Sequence, residues 1–338
     1  MIKMIIETDI CIIGAGPVGL FAVFEAGLLK MRCHLIDALS QAGGQLTEIY
    51  PKKPIYDIPG YPVITAEQLI KNQLEQIAPF KPTFSLGERV EELRKQDSGS
   101  YEVIGSLGTV IKCQVVVIAG GLGCFEPRLP EVKNLDRYYP NYVHYMVKDP
   151  HHFRGKKIVI AGGGDSAMDW TNYLADIAGE ITLVHRSNTF RGSPDSASKI
   201  YDLEKKGILK LLLSHRLDSL EGTDQLQRLN MTDHNNDPVS VDCDHFIALY
   251  GLSPKLGPIA RWGLDLSMNS ILVDTKDYST NVERIYAIGD INSYQGKLNL
   301  ILCGYHEAAL MAQSAFKYVY PDKRLSFKYT TVNGINEF

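Results

Sequence analysis

The sequence predicts an α/β protein of two open-sheet, three-layer domains, and three observations carry that prediction. A strand runs into spaced glycines and then a helix at residues 5–24, the same order recurs at residues 157–170, and 338 residues exceed the usual ~100–200 of one domain. The mix of 45% hydrophobic and 22% charged residues, with 29 Gly and 16 Pro, is that of an ordinary globular chain and excludes disorder and low complexity. A formal net charge of -4 lacks the basic excess that non-specific nucleic-acid binding draws on.

The first of these units sets the pattern. Residues 5–13 read as a strand leading into Gly14-Ala15-Gly16-Pro17-Val18-Gly19, and Leu20 to Phe24 read as helix. In a G-x-G-x-x-G turn the first glycine allows the tight bend. The second lets the backbone approach a pyrophosphate, and the third lets helix and strand pack closely, so Gly14, Gly16, Pro17 and Gly19 form a candidate dinucleotide cradle. A second strand from Cys33 ends in Asp37, where an acid accepts hydrogen bonds from an adenosine ribose, as in NAD or FAD sites.

The second unit changes the sign of that last residue. A strand at residues 157–161 opens into Gly162-Gly163-Gly164-Asp165-Ser166-Ala167, with Ala in the third place, and Gly162, Gly164, Asp165, Ser166 and Ala167 are its candidate contacts. The next strand, residues 181–184, ends in His185-Arg186-Ser187 with Arg191 beyond. A carboxylate repels a 2′-phosphate whereas guanidinium groups bind it, so Arg186 and Arg191 point to NADP, the alternative being solvated loop charges. Two Rossmann-like domains, one ending in an acid and one in bases, pair naturally as FAD and NADPH sites.

The remaining segments support this frame. Residues 41–62, rich in Gly, Pro and Tyr, read as a long loop, residues 65–77 as a helix capped by Thr65, and residues 113–119 as a buried parallel strand. A Pro-containing connector follows Gly123, a short strand at residues 284–288 closes in Gly289-Asp290, and residues 300–319 have helical spacing. The longest uncharged apolar stretch near the start, residues 10–24, is short of the ~20 residues of a membrane span and holds three glycines. A charged start at Lys3, Glu7 and Asp9 predicts no secretory signal, hence a cytoplasmic protein. The six cysteines contain no C-x-x-C pair and read as buried small residues, and His144, His151 and His152 read as solvated or packing groups, so no metal is expected.

Taken together, Gly14 to Gly19, Gly43-Gly44-Gln45-Leu46-Thr47, Ile58-Pro59-Gly60-Tyr61-Pro62, Gly162 to Ala167, His185-Arg186 with Phe190-Arg191, and Ile288-Gly289-Asp290 resemble the thioredoxin-reductase-like flavoproteins over nearly the whole chain. The resemblance implies a split FAD domain, residues 1–122 and 284–338, with an NADPH domain at residues 123–283 between them. It departs at the dithiol. Counting back from Arg154-Gly155-Lys156 places Tyr145 and Lys148 where that family has its two cysteines, which excludes disulfide reduction by that route. The chain is therefore similar to the ferredoxin–NADP reductases of thioredoxin-reductase type, which lack the dithiol and carry a C-terminal extension, here residues 321–338. Carried over residue by residue, the resemblance implies FAD contacts at Asp37, Gln45, Tyr50, Val90, Phe125, Asp290 and Thr331, the alternative to the last being the adjacent Thr330, with Tyr50 the candidate ring stacked on the isoalloxazine, the alternative being a core tyrosine. The resemblance further implies a homodimer in which the extension reaches the flavin of the other subunit, with Tyr329 the candidate to cover its opposite face, the alternative being an ordinary aromatic of the tail.

The activity expected from this resemblance is hydride transfer from NADPH to flavin N5, then single-electron steps to ferredoxin or a similar iron–sulfur protein, with no side chain as acid, base or nucleophile. The alternatives are an NADPH diaphorase reducing quinones or free flavins, and a flavin-bearing redox sensor without sustained turnover.

Overall fold

The computed structural model describes residues 5–123, 126–147, 149–253, 256–325 and 334–335. It divides into two compact units, one of residues 1–124 with 254–338 and one of residues 125–253. The boundary expected at Glu283 thus lies at Ser253. The described residues 256–283 contain only short elements that periodicity does not reveal, yet Leu256, Ile259, Leu264 and Ile271 are buried in the first unit's core with Val90, Val103 and Ile111.

In the first unit the expected single strand at residues 5–13 is two. Ile5–Glu7 joins Val110–Cys113, Tyr101–Gly105 and Val90–Lys95 in a four-stranded sheet, while Ile10–Ile13 lies in a five-stranded one. The break falls at Asp9, whose carboxylate accepts the Arg32 backbone N–H at 2.7 Å, next to the strand that follows the first helix. The five-stranded sheet runs Ile285–Ala287, Val115–Ile118, Ile10–Ile13, Cys33–Asp37, Thr83–Leu86, all parallel. Alternation along its strands makes the layers. Ile10, Ile12, Val115 and Val117 face a core shared with the helices Pro17–Leu28, Ala66–Ile77 and Ile301–Val319. Cys11, Ile13, Val116 and Ile118 face the core shared with the four-stranded sheet.

The second unit repeats the plan. Its parallel sheet runs Val143–His144, His245–Ala248, Lys157–Ala161, Glu180–His185, Leu209–Leu213. Val159 and Ala161 pack on the antiparallel sheet Arg216–Glu221, Arg228–Thr232, Pro238–Asp242, through Leu220, Leu229 and Met231.

In both units the chain order reverses beside the strand that precedes the glycine turn. The switch lies between Ile10–Ile13 and Val115–Ile118 in the first, and between Lys157–Ala161 and His245–Ala248 in the second. An open α/β sheet forms its ligand crevice beyond the carboxyl ends of the strands at such a point.

Candidate functional site

At the first switch point the glycines divide by what surrounds them. Gly14 has φ +111, and a Cβ there would lie 2.4 Å from the Ala119 carbonyl oxygen of the neighbouring strand, so only glycine fits. A Cβ on Gly19 would lie 2.1 Å from the Gly14 carbonyl oxygen, which fixes the helix against the turn. Gly16 is different: a Cβ would meet nothing within 4 Å, so open space stands over its backbone. Pro17 takes the first helical position, where its missing N–H costs nothing, and the helix has neither a side-chain cap nor an acid in its first turn. The positive helix end is left to a ligand.

Asp37 ends the adjacent strand beside this turn. Its Oδ2 accepts the Ala15 N–H at 2.7 Å and its Oδ1 the Leu39 N–H at 2.8 Å. Burial raises its pKa while these two N–H bonds oppose the rise. A carboxylate accepts about four hydrogen bonds, so each oxygen keeps capacity for a ribose hydroxyl. The loop after it is laid on the same turn, with the Gly43 N–H donating to the Ala15 carbonyl at 2.8 Å. Gly44 lies close enough to Gly16 that a Cβ would be 3.2 Å from the Gly16 Cα, and the Gln45 amide nitrogen reaches the side of Gly121. Tyr50 is partly buried against the helix-side core. Burial pushes its hydroxyl pKa up to about 12, with the nearby Asp290 carboxylate adding to the rise. Val90 is buried at 4% exposure, so its side chain belongs to the core.

Asp290 sits in the turn Gly289–Ile291, which is held by a group that the motifs do not reveal. The Glu307 carboxylate, fully buried, accepts the Gly289 N–H at 2.6 Å, the Asn292 amide at 2.8 Å, the Tyr294 hydroxyl at 3.0 Å and the Lys297 ammonium at 2.5 Å. Lys297 in turn donates to the Gly289 carbonyl at 3.0 Å. The signal in the sequence is that Glu307 is the one acid in the helix Ile301–Val319.

The second switch point repeats the first. A Cβ on Gly162 would lie 2.5 Å from the Leu249 carbonyl oxygen of the neighbouring strand, and Gly164 has nothing within 4 Å. The helix Asp165–Leu174 again has no side-chain cap. Ser166 is exposed at its start and Ala167 is buried. The arginine loop is tied across this turn: the Arg191 N–H donates to the Gly163 carbonyl at 2.8 Å and the Ser193 N–H to Asp165 Oδ1 at 2.7 Å. His185 fills the space under Gly163, where a Cβ would come within 2.0 Å of its ring, and stacks on Phe190. Burial lowers the His185 pKa, and the charges of Arg191 and Arg186 lower it further. The Arg191 backbone is thus held at the turn, and Arg186 directly follows the strand Glu180–His185. Both arginines are exposed, and neither forms an ion pair among the described residues.

Three expected residues, Phe125, Tyr329 and Thr331, lie outside the described residues, as does Lys148. Tyr145 packs beside Tyr139, with ring centroids 5.3 Å apart. Among the described cysteines Cys11, Cys33, Cys113 and Cys243 are buried and Cys303 is half-buried. Sequence spacing offers His144, His151 and His152 no ligating partner, but the fold brings His245, from a strand 101 residues away, to His144 and His152.

Residues 8–308 match the pyridine nucleotide–disulphide oxidoreductase family. The chain belongs to that family. Among its curated relatives, ferredoxin–NADP reductase 1 of Christiangramia forsetii is 55% identical, over 98% of this chain and 95% of the relative. The ferredoxin–NADP reductase of Flavobacterium johnsoniae is 51% identical over the same shares. The ferredoxin–NADP reductase of Bradyrhizobium sp. is 49% identical, over 96% of this chain and 95% of the relative. The fold is that of the thioredoxin reductases. The Lactococcus lactis enzyme superposes with a TM-score of 0.80 at 23% identity, covering 93% of this chain and 99% of the other. The thioredoxin reductase of T. acidophilum also gives 0.80, at 20% identity, covering 92% of this chain and 98% of the other. Among the described residues no helix is long and apolar enough to cross a membrane.

Proposed function

We propose that this family member is a flavoprotein that passes electrons between NADPH and ferredoxin, or a similar iron–sulfur protein, through FAD. The observation that carries the reading is the opposite charge at two crevices of like construction: Asp37 beside the first, Arg186 and Arg191 around the second. The names of relatives 49–55% identical support the same pair of substrates.

The residues fit the two groups. Gly16 and Gly164 leave their backbones open at uncapped helix ends, as a pyrophosphate requires. On the first crevice, Gly14, Gly16, Pro17 and Gly19 cradle the FAD pyrophosphate and Asp37 holds its ribose. Gln45, Tyr50 and Asp290 lie along the flavin end, and a contact from Val90 falls to its backbone because its side chain is in the core. Phe125 and Thr331 complete this set in the family pattern. On the second crevice, Gly162, Gly164, Asp165, Ser166 and Ala167 take the NADPH pyrophosphate, Asp165 through its backbone while its carboxylate accepts the Ser193 N–H. Arg186 and Arg191 take the 2′-phosphate by charge-assisted hydrogen bonds.

When bound, FAD supplies the conversion between two-electron hydride chemistry and one-electron transfer. The chain's own residues bind and orient. Tyr50 offers an uncharged, partly buried ring face, and Glu307 fixes the turn that presents Asp290. No side chain is required to move a proton. The protein acts in the cytoplasm as a homodimer in which Tyr329 of one subunit covers the flavin of the other.

The reading is tested by adding NADPH and, separately, NADH to the purified yellow protein without oxygen. Rapid bleaching of the flavin absorbance by NADPH, and slow bleaching by NADH, supports both assignments. Protein that carries no flavin, or that is bleached equally by both, contradicts them.

A further inference from the structure

Three histidines meet at the edge of the second unit's parallel sheet, away from its glycine turn. His144 lies on the edge strand Val143–His144 and His245 opens the adjacent strand His245–Ala248. In the parallel register His144 stands opposite Ile247, and His245 is two residues before Ile247, so both imidazoles project from one face as diagonal neighbours. His152 reaches them from the turn Pro150–Phe153. His144 Nε2 and His245 Nδ1 are 3.1 Å apart, and one ring nitrogen from each of the three lies within 4.8 Å of the others.

We propose that His144, His152 and His245 form a binding site for one divalent late first-row transition ion, of which zinc is the representative. Imidazole is the ligand class that suits these ions. At Zn–N distances of about 2.0–2.1 Å, two nitrogens on a tetrahedral ion stand roughly 3.3 Å apart, close to the separation that His144 and His245 already have. The third ligand has the freedom to close the remaining gap, because His152 is exposed on a short turn, and the same exposure gives the ion its way in. The rings are held for this. Phe153 packs edge-on against His144 and His245, with centroids 5.2 and 5.4 Å away. Three protein nitrogens leave a fourth position for water. Without the ion, one ring donates a hydrogen bond to the other across the 3.1 Å contact, and ion binding moves that proton to the far nitrogen of the donor ring.

The site is separate from the proposed nucleotide crevice of the same unit. His245 pairs with Ile158 near the start of Lys157–Ala161, whereas the glycine turn follows Ala161, which pairs with Ala248. Three residues of strand, about 10 Å at ~3.3 Å each, lie between the two levels. The ion would clip the turn Pro150–Phe153 to the sheet edge, so its effect is on the thermal stability of this edge and not on NADPH binding.

The test uses tag-free, full-length protein stripped by a chelator and titrated with Co²⁺, read by its visible d–d absorption, with Zn²⁺ added as competitor. Wild type is expected to take up one equivalent per chain with the intense spectrum of a low-coordinate site, to release Co²⁺ to Zn²⁺, and to melt higher with Zn²⁺. His152→Gln, an exposed change that leaves the fold alone, should weaken Co²⁺ binding at least tenfold while NADPH oxidation is unchanged. His144→Gln should abolish it. Wild type that binds no Co²⁺, or His152→Gln that binds it as well as wild type, overturns the proposal. Neither result bears on the flavin reading, which is measured by NADPH oxidation in the same samples.

Discussion

The backbone N–H of Ala15 donates to Asp37 Oδ2 at 2.7 Å, so the acid that ends one strand also holds the glycine turn that follows another. Asp37 therefore has two tasks, one in the fold and one toward the ribose. Asp37→Ala should lose both. An unsatisfied buried N–H costs about 1–3 kcal/mol, so the urea midpoint of the apoprotein should fall and FAD should wash out on gel filtration. Asp37→Asn keeps an acceptor for Ala15 and should recover most of the stability but less of the FAD affinity. Full flavin retention by both variants would count against the ribose role.

Gly16 and Gly19 are three residues apart and should fail in different ways. Gly16→Ala adds a methyl to open space, so folding is expected to persist while FAD binding is lost to a clash with the ligand. Gly19→Ala drives a methyl to 2.1 Å from the Gly14 carbonyl oxygen, and the protein itself should be destabilised. Thermal melts of the two apoproteins, beside their flavin content, separate these outcomes. Equal melting temperatures contradict the assignment of Gly19 to packing.

Arg186→Ala and Arg191→Ala remove charge-assisted hydrogen bonds worth about 1.5–3 kcal/mol each. Each should lower kcat/KM for NADPH about ten- to hundredfold and leave NADH nearly unchanged. The ratio of the two cofactors, measured at fixed ionic strength, is the readout. An unchanged ratio in both variants removes the basis for a 2′-phosphate site.

His34 is 1% exposed between Thr83 and Ser85, which hydrogen-bond its two ring nitrogens at 2.7 and 3.0 Å. Burial lowers its pKa to about 4, against ~6.5 for an unfolded histidine. The folded protein keeps the ring neutral, so below about pH 6.5 the unfolded state binds the extra proton. Stability is complete above that pH and is lost as the pH falls toward 4, by about 2 kcal/mol at pH 5. His34→Gln should show a smaller drop in urea midpoint between pH 7.5 and pH 5 than wild type. An identical drop would exclude His34 as a source of acid sensitivity.

What could be read from the sequence follows from how close in the chain the interacting groups are. Gly14, Gly16, Gly19 and Asp37 belong to one strand–helix–strand unit, and Gly162 to Arg191 to another, so spacing alone placed them. Glu307 was legible only as the lone acid of its helix, because its partners Gly289 and Asn292 lie earlier in the chain, before the helix begins. His245 was invisible as a neighbour of His144, since parallel strand order brings together residues 101 apart. The end of the inserted unit was misplaced at Glu283 for a related reason: Ile259 and Ile271 sit in short elements whose burial depends on Val103 and Ile111, far earlier in the chain.

Anaerobic reduction of cytochrome c by NADPH, with and without added ferredoxin, tests the central claim most directly. The account predicts a slow rate from the protein and NADPH alone and a large increase that saturates with ferredoxin. A rate that ferredoxin does not change, beside rapid reduction of a quinone or free flavin, would contradict it and make the protein a diaphorase. Failure of every acceptor to sustain turnover would leave a flavin-bearing sensor instead.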